Sequence, residues 1–349
     1  KLKKAEPLMQ DGQVVAYAQL PIQQKSCCKA EGAASCYAKT DAKASKEKVK
    51  NVKMKVVDDK KKNENIVVST KDITLKVNRN TGLISEYAYQ GKSLLGEGGT
   101  LKPNFWRAPT DNDFGAGLQK KFKVWKNPQM NIKGVAVETD KKANTASICA
   151  VYAMPEVKGE LTLTYRLEAN TGKLDVTEDF AASDTAKVSD LFRFGMLMQL
   201  PYDMDKSQYY GRGPIENYSD RKDCMRLGIY EDDADNQYFP YIRPQESGTK
   251  SDMRWWKQTD AAGFGLQVKA CRPFYASAIH FDTEELDDGD EKEQRHSFNL
   301  KKSKFTNLFL DGEHSGVAGE NSWGAWPLEK YRIHYGNKAF KFSILPQAK

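Results

Sequence analysis

The feature of this sequence that most constrains its fold is an alternation of apolar and polar residues with a period of two, which recurs in short segments from Ile66 onward. This period places successive side chains on opposite faces of a β-strand, so that one face can be buried. Turn residues separate the segments, as at 80–82. The predicted strands lie at 73–77, 161–167, 174–180, 192–198, 331–335 and 340–344.

No helical period longer than two turns interrupts residues 67–349. Short strands without intervening helices are typical of antiparallel sandwiches. The sequence therefore predicts an all-β fold, with one large antiparallel β-sandwich domain over residues 67–349. A chain of 349 residues is long enough to bury such a core without disulfides or metals.

The first 66 residues differ in composition from the rest. Residues 14–21 predict one β-strand that ends at a proline, and we interpret 1–24 as the last strand region of a preceding domain. Residues 25–66 are rich in Lys, Ala and Ser and bury too little apolar surface to offset ordering, so they are interpreted as a linker. Alternation at 52–56 favours one edge strand within this linker.

Charge and composition argue against several classes of partner. The net charge of +7 arises from 54 Lys and Arg against 47 Asp and Glu, with both signs dispersed and much of the excess at 43–62. We therefore expect no nucleic-acid partner. No apolar run reaches the ~20 residues that span a bilayer. A soluble protein is expected, and the sequence leaves its compartment, cytoplasmic or periplasmic, undetermined.

The cysteines and histidines indicate no metal centre, disulfide framework or nucleophilic triad. No C-x-x-C pair occurs, and no two of the four histidines share a metal-ligand spacing or have a visible Ser or Cys partner. The last three cysteines are interpreted as thiols in apolar, strand-like settings. The six cysteines are Cys27, Cys28, Cys36, Cys149, Cys224 and Cys271.

Residues 104–117 form the first segment that could carry chemistry. Aromatic residues, an arginine, two carboxylates and glycines are packed into a non-repetitive loop. The acceptors at 111–113 can hold a turn, and Gly115 and Gly117 permit a positive φ or a close backbone approach. A purely structural Asx turn explains the segment equally well, whereas a calcium loop fits poorly because no glutamate closes it.

Residues 209–221 and 243–248 form a second dense polar group. A buried salt-bridge network is favoured over ligand contact, because Arg–carboxylate pairs commonly pin loops. Trp255 and Trp256 follow on one strand, so they face opposite sides and only one of them can belong to the core. The acidic stretch 282–293 is interpreted as a solvated hairpin.

Residues 319–326 form the third segment, with Trp323 in a glycine-flanked loop. A loop indole offers a flat apolar face that suits the C–H-rich face of a pyranose, and nearby Asn and Glu side chains can bind hydroxyls. The alternative is a tryptophan that plugs one end of the sandwich.

These segments, in this order and spacing, resemble the last third of bacterial β-galactosidases of glycoside hydrolase family 2. The residues that carry the resemblance are Arg107-Ala108-Pro109, Asp111-Asn112-Asp113-Phe114-Gly115, the stretch 211–221, the stretch 244–248 and Asn321-Ser322-Trp323. The stretch 11–16 is similar to the final strand of the immunoglobulin-like domain that precedes the linker in that family. One departure is Ala318-Gly319-Glu320, where the family has two glycines and an aspartate.

The resemblance implies a five-domain retaining glycosidase whose TIM barrel carries two catalytic glutamates that are absent from this chain. It implies a galactose-mutarotase-like supersandwich for residues 67–349, and terminal β-D-galactosides such as lactose as substrates. The partners would be the barrel and a β-galactoside, in an intact enzyme expected to be oligomeric. No cofactor is expected in this chain, although Mg or Na in the barrel is consistent with the resemblance. The isolated chain is expected to be inactive.

The resemblance also assigns roles to single residues. Trp323 would reach into the mouth of the barrel as the platform for the aglycone sugar. The other substrate-binding candidates are Asn321, Asp111, Asn112, Asp113 and Gly115. Candidates for a second sugar groove are Arg107, Glu216, Arg221, Glu246, Trp255, Trp256 and His280. The competing hypothesis is an autonomous carbohydrate-binding or mutarotase-like module.

Overall fold

The computed structural model describes residues 10, 14, 17–20, 52–58, 64–321 and 323–348. The chain divides into two units, Lys1–Ala44 and Ser45–Lys349. In the first unit, the described residues belong to no strand or helix. The rest of the strand predicted at 14–21 lies outside the described residues, as do the first three cysteines, so the immunoglobulin-like region stays a prediction.

The second unit consists mainly of β-strands. The strands are β1 (Lys55–Val57), β2 (Asn65–Ser69), β3 (Ile73–Asn78), β4 (Ile84–Tyr89), β5 (Lys92–Ser93), β6 (Leu101–Asn104), β7 (Asn131–Asp140), β8 (Thr145–Met154), β9 (Gly159–Glu168), β10 (Leu174–Ala182), β11 (Arg193–Pro201), β12 (Lys206–Gly213), β13 (Arg226–Asp233), β14 (Lys250–Thr259), β15 (Gly265–Ile279), β16 (Phe305–His314) and β17 (Lys338–Gln347). The helices are α1 (Asp111–Ala116), α2 (Leu118–Lys121), α3 (Ala234–Gln237) and α4 (Thr283–Leu286), with 3₁₀ turns at Lys123–Trp125, Ser297–Asn299 and Glu329–Tyr331. No helix among the described residues is both long and apolar enough to cross a membrane.

All strand pairs are antiparallel, and the long strand β15 joins the two halves of the sheet. One half runs β1-β2-β3-β4-β6-β11-β16, and the other runs β7-β8-β9-β10-β17. The first part of β15 pairs with β17 and its last part pairs with β16, while β14 pairs along its other edge and leads to β12 and β13. The all-β antiparallel prediction is confirmed.

The core follows the alternation seen in the sequence. In β9 the buried residues are Leu161, Leu163, Tyr165 and Leu167, and β10 buries every second residue beside them. Tyr87 on β4 donates its hydroxyl to Gly172 O at 2.7 Å, so the two halves of the sheet contact each other through the core.

Strand β11 is buried on both faces. Met196 and Met198 face the main core, whereas Leu197 belongs to a second, smaller apolar cluster. That cluster contains Ala108, Leu197, Ile279, Phe281, Leu286 and Phe309. The second face therefore carries its own layer of loops and short helices, and these loops hold the polar segments singled out in the sequence.

Two strand predictions need comment. The strand predicted at 331–335 is wrong, because a 3₁₀ turn ends at Tyr331 and Ile333 forms only an isolated bridge to Leu191. Instead of joining a ladder, Tyr331 O accepts from Gly316 N at 2.8 Å and so supports a loop. The predicted edge strand at 52–56 is observed as β1, which pairs with β2 inside the stretch interpreted as a linker.

The acidic stretch 282–293 is not the solvated hairpin that its charge predicts. The side chains of Asp287 and Asp288 are 1% and 0% exposed. Asp287 accepts from the Trp106 indole at 2.8 Å, and Asp288 accepts from Arg243 and Arg295. Indole and guanidinium donors thus offset the cost of burying these carboxylates. The cysteine prediction also fails at Cys224, which lies in an exposed turn.

Candidate functional site

The segment predicted as a loop at 104–117 contains the short helix α1. Thr110 is its N-cap: Asp113 N donates to Thr110 Oγ1 at 3.2 Å, and Thr110 N donates to Asp113 Oδ2 at 2.9 Å. This reciprocal capping box uses the acceptors that the sequence suggested would hold a turn. Gly117 closes the helix at φ +68°, whereas Gly115 lies within it without a positive φ.

A fully buried ion pair lies beneath α1. Arg107 donates Nε and Nη2 to the two carboxylate oxygens of Asp113 at 3.1 and 2.8 Å, and both side chains are 0% exposed. Its remaining donors reach Ser315 O and Gly316 O, each at 2.9 Å. Bidentate pairing of this kind adds geometric specificity as well as energy. Arg107 and Asp113 therefore join α1 to the segment that follows β16.

The same segment leads into the loop at 317–326, and its first residues are held by side chains. Asn112 donates Nδ2 to Val317 O at 2.9 Å. Asp220 accepts from Val317 N at 3.0 Å and from Ala318 N at 2.8 Å. A Cβ at Gly316 would lie 2.3 Å from Asp220, so only glycine permits this approach. Asp220 was not among the predicted site residues, although the motif at 211–221 contains it.

The far end of the loop is held by packing. Gly324 has φ +88°, and a Cβ there would lie 2.5 Å from Gly115 O, so helix α1 and the loop meet backbone to backbone. Trp326 packs edge-on against Phe122 at 5.6 Å and lies beneath the Arg332 guanidinium at 4.6 Å. Both ends of the loop are therefore fixed to α1 and its surroundings.

Trp323 lies between these two anchors and is 91% exposed. Its backbone N–H donates to Asn321 Oδ1 at 2.9 Å, which shapes the tip of the loop. Ser322 lies outside the described residues. The alternative interpretation, in which Trp323 plugs one end of the sandwich, does not match this exposure.

The exposed surface of α1 carries the carboxylate of Asp111, which is paired with two basic side chains. Asp111 accepts from Lys292 at 3.0 Å and from Arg243 at 3.2 Å. Partial burial raises its pKa, but the hydrogen bonds from Lys292 and Arg243 outweigh that effect and lower the pKa overall. Asp111 is therefore an ionised acceptor near the loop, while Asp113 is fully engaged by Arg107 and cannot bind substrate.

The candidates for a second sugar groove are engaged in hydrogen bonds and ion pairs within the chain. Glu216 accepts from Arg221, Tyr241 and Gly248 N, the last at 2.7 Å. Glu246 is buried and accepts from Arg193 at 3.1 Å. The salt-bridge interpretation of these segments matches their geometry.

The remaining groove candidates are also engaged. His280 is buried and lies 2.8 Å from Asp235 and 3.0 Å from Thr306. Trp256 is fully buried and stacks on Tyr209 at 4.9 Å, whereas Trp255 on the opposite side is half-buried. The expectation that the two indoles face opposite sides is confirmed.

A buried cluster of charges that the sequence did not reveal lies around Arg193. Asp311 approaches Arg193 Nε at 3.6 Å, and burial raises its pKa to about 7, against the lowering effect of Arg193. Burial, with a contribution from Asp311, also raises the pKa of Glu178. Burial and the charge of Arg193 lower the pKa of His314. No group of three or more His, Cys, Asp or Glu side chains that could hold a metal occurs among the described residues.

Known sequences that are similar to this chain include β-galactosidases. Residues 69–345 match the family model described as beta galactosidase small chain. A β-galactosidase of Priestia megaterium is 29% identical over 285 residues, which cover 81% of this chain and 26% of that relative. A β-galactosidase of Lactobacillus delbrueckii subsp. bulgaricus is 33% identical over 222 residues, covering 63% and 21%. The chain spans about a quarter of the length of the curated relatives it matches.

Solved structures with a similar arrangement share little sequence with this chain. A galactose mutarotase-like protein from Lactobacillus casei covers 84% of this chain and 100% of its own, with a TM-score of 0.42 and 10% identity. The galactosidase domain of an alpha-galactosidase-sucrose kinase covers 83% of this chain and 41% of its own, with a TM-score of 0.44 and 11% identity.

Proposed function

The chain belongs to the β-galactosidase small-chain family, and on that premise we propose that it completes the active site of a β-galactosidase by lending Trp323 to the aglycone subsite. The observation that carries the proposal is the 91% exposure of Trp323 at the tip of a loop whose two ends are fixed. Tryptophan is over-represented among the residues that dominate binding interfaces, so an exposed indole on a loop anchored at both ends fits a contact site for a partner.

The geometry suits the recognition of a sugar held by another domain. An indole face can stack on the C–H-rich face of a pyranose while polar neighbours bind its hydroxyls. Asn321 at the loop tip and the ionised Asp111 on α1 supply polar side chains at the protein surface, and Gly115 allows α1 to contact the loop. Asn112 and Asp113 act beneath this surface, where they hold the loop and α1 in place.

Bond cleavage would come from outside this chain. In a retaining glycosidase, two carboxylates about 5–5.5 Å apart act as nucleophile and as acid/base. We propose that a TIM barrel in the remaining three quarters of the enzyme supplies them as glutamates, with terminal β-D-galactosides as substrates and with any Mg or Na bound there. Purified chain should therefore not hydrolyse lactose, and lactose hydrolysis by the chain alone would contradict the proposal.

The test of the loop uses the whole enzyme with Trp323→Ala. Loss of one stacked ring should reduce kcat/KM for lactose about tenfold, which corresponds to ~1.4 kcal/mol. Trp323→Phe should retain part of the activity because it keeps an aromatic face. Phe298→Ala is the matched control, since that ring is 83% exposed and lies outside the loop. Equal kinetic losses in Trp323→Ala and Phe298→Ala would reject the role of the loop.

The alternative is an autonomous carbohydrate-binding module. It predicts that the chain alone binds galactose and that Trp255→Ala or Trp256→Ala abolishes binding while Trp323→Ala does not. Trp256 is buried beneath Tyr209, so it can bind no ligand directly. The structure therefore favours the first proposal over this form of the second.

A further inference from the structure

The side chain of Asp220 binds the backbone at the start of the loop at 317–326. Its two carboxylate oxygens accept from consecutive N–H groups, from Val317 N at 3.0 Å and from Ala318 N at 2.8 Å. These bonds join residues 97 and 98 positions apart in the sequence. Asp220 therefore acts where the chain enters the loop that carries Trp323.

Ala318 has a backbone conformation that alanine seldom adopts. Its φ is +59°, in the left-handed region, where the Cβ of an L-residue crowds a neighbouring carbonyl oxygen. Such conformations persist only where the surrounding contacts impose them, and they cluster at functional sites. The next residue, Gly319, also has a positive φ, of +112°. The chain thus changes direction at two successive residues, and Asp220 binds the N–H of the first.

A carboxylate suits this turn for a geometric reason. Successive backbone N–H groups in a turn with a left-handed residue form a concavity that binds an anion. Both oxygens of an aspartate can accept there, whereas an asparagine has one acceptor oxygen and a nitrogen that only donates. Asparagine at position 220 could therefore reproduce only part of this contact.

Asp220 is itself held in a tight turn. Tyr218 N donates to Arg221 O at 3.2 Å and Arg221 N donates to Tyr218 O at 3.0 Å, so Ser219 and Asp220 form the two-residue tip. Tyr218 is 1% exposed and anchors this turn in the interior. Gly316 lies against the carboxylate, since a Cβ there would meet Asp220 Oδ2 at 2.3 Å. The carboxylate thus holds the loop from a fixed position.

We propose that Asp220 is a positioning residue for the aglycone subsite. By binding Val317 N and Ala318 N, it holds Ala318 in the left-handed region and so sets where the Trp323 indole meets the aglycone sugar. This inference rests on the proposed function of Trp323. It adds that the preference of the enzyme for a sugar aglycone depends on Asp220, which acts only through the loop.

The kinetic test compares lactose with methyl β-D-galactopyranoside in the whole enzyme, because a methyl aglycone has no ring to stack on an indole. Asp220→Ala should lower kcat/KM for lactose about three- to tenfold and leave that for the methyl glycoside within about twofold. Asp220→Asn keeps one acceptor oxygen, so its loss with lactose should be intermediate, and it replaces Asp220→Ala in each test if that variant fails to fold. Equal losses with the two substrates would indicate a general structural defect and overturn the proposal.

Asp140→Ala is the matched control. Asp140 also accepts from two backbone N–H groups, from Lys142 N at 2.8 Å and Ala143 N at 3.0 Å, at the turn between β7 and β8. Removing these bonds should leave kcat/KM unchanged for both substrates. A loss in Asp140→Ala equal to that in Asp220→Ala would remove the case for a specific role of Asp220.

A double variant tests whether Asp220 acts through Trp323. If it does, Asp220→Ala/Trp323→Ala should lose about tenfold in kcat/KM for lactose, as Trp323→Ala alone does, because both changes disable the same contact. Losses that multiply would show an independent effect of Asp220 and would also overturn the proposal.

A measurement without activity separates this inference from the proposed function. In the 349-residue chain labelled with fluorotryptophan, the fluorine NMR resonance of Trp323 is identified by its absence in Trp323→Phe. Asp220→Ala should shift and narrow this resonance, because the loop moves more freely, whereas Asp140→Ala should not. An unchanged resonance in Asp220→Ala would refute the positioning role, even where Trp323→Ala impairs lactose hydrolysis. A shifted resonance together with unimpaired hydrolysis in Trp323→Ala would instead refute the proposed function, and would confirm that Asp220 fixes the loop.

Discussion

Two buried arginines, Arg107 and Arg193, differ in how fully their N–H groups are hydrogen-bonded. Arg107 uses Nε, Nη1 and Nη2 to bind the Asp113 carboxylate and the carbonyls of Ser315 and Gly316, all between 2.8 and 3.1 Å. Arg193 binds Glu246 and His314 through Nη2, but its Nε forms no hydrogen bond to any described residue. Both side chains are at most 1% exposed.

The carboxylates near the two arginines also differ in how many of their oxygens accept hydrogen bonds. Asp113 is matched one to one by Arg107. Around Arg193, both carboxylate oxygens of Asp311 and both of Glu178 lack hydrogen-bond partners among the described residues, and burial raises the pKa of each group. The loop carrying Trp323 therefore rests on an ion pair whose donors and acceptors are all matched, whereas the sheet interior holds carboxyl groups that lack donors and whose pKa is raised by burial.

The variant Arg107→Met should have the largest effect and tests whether the Arg107–Asp113 pair supports the loop. Removing the guanidinium leaves Asp113 buried and unpaired, and breaking a buried pair from one side typically costs about 3–5 kcal/mol. The free energy of unfolding, measured by urea denaturation, should fall by that amount. Native-state hydrogen exchange should also show faster opening at 315–318, because the carbonyls of Ser315 and Gly316 lose their donor.

The double variant Arg107→Met/Asp113→Leu is the control for that prediction. Replacing both members of a buried pair by apolar side chains is often close to neutral. We therefore expect the double variant to recover much of the stability that the single variant loses. A double variant as unstable as the single one would mean that the bonds of Arg107 to backbone carbonyls, or the capping bond from Thr110 N to Asp113, stabilise this region more than the charge pair does.

Asp311→Asn tests the surroundings of the second arginine, Arg193. Because the pKa of Asp311 is raised to about 7 in the fold, the unfolded chain releases this proton at lower pH than the folded chain does. Asp311 therefore leaves the free energy of unfolding unchanged below about pH 4. It lowers that free energy progressively between about pH 4 and pH 7, and the free energy stays low at higher pH. Relative to the wild type, the stability of Asp311→Asn should therefore rise by on the order of 4 kcal/mol between pH 4 and pH 8.

The measurement is the difference in the free energy of unfolding between wild type and Asp311→Asn at each pH. The charged neighbours that face Asp311 are Arg193, Glu246 and Glu178. If Arg193 kept Asp311 ionised throughout, the difference would not vary with pH, and the two arginines would then have similar electrostatic surroundings after all.

The periodic parts of the fold were predictable from sequence because burial on one face of a strand imposes a period of two. The strands at 161–167, 174–180 and 340–344 were predicted in this way and lie in β9, β10 and β17. The stretch 331–335 has the same alternation, and Ile333 and Tyr335 do pack on the core, yet its backbone forms only the single bridge from Ile333 to Leu191. The local sequence pattern cannot show whether such a stretch pairs with a neighbouring strand, since that depends on which part of the chain lies beside it in the fold.

The candidate site was predictable only in part. The three polar segments do meet, but the sequence did not indicate that Asp220 would hold Val317 and Ala318, or that Gly115 and Gly324 would touch. Such contacts join residues about a hundred or more positions apart. Likewise, the acidic composition at 282–293 indicated exposure, because Trp106 and Arg243, which donate to Asp287 and Asp288, come from distant segments.

The smallest expected effect belongs to the loop that Arg107 supports. Trp323→Ala removes a side chain that is 91% exposed, so the free energy of unfolding should change by less than about 0.5 kcal/mol. Trp326→Ala, three residues away, removes the ring that packs against Phe122 and Arg332, and should cost about 1–3 kcal/mol. Thermal and urea unfolding of the two variants measure this contrast. If Trp323→Ala proved as destabilising as Trp326→Ala, the Trp323 indole would be packing against this chain, and it would no longer be available to a sugar bound by another domain.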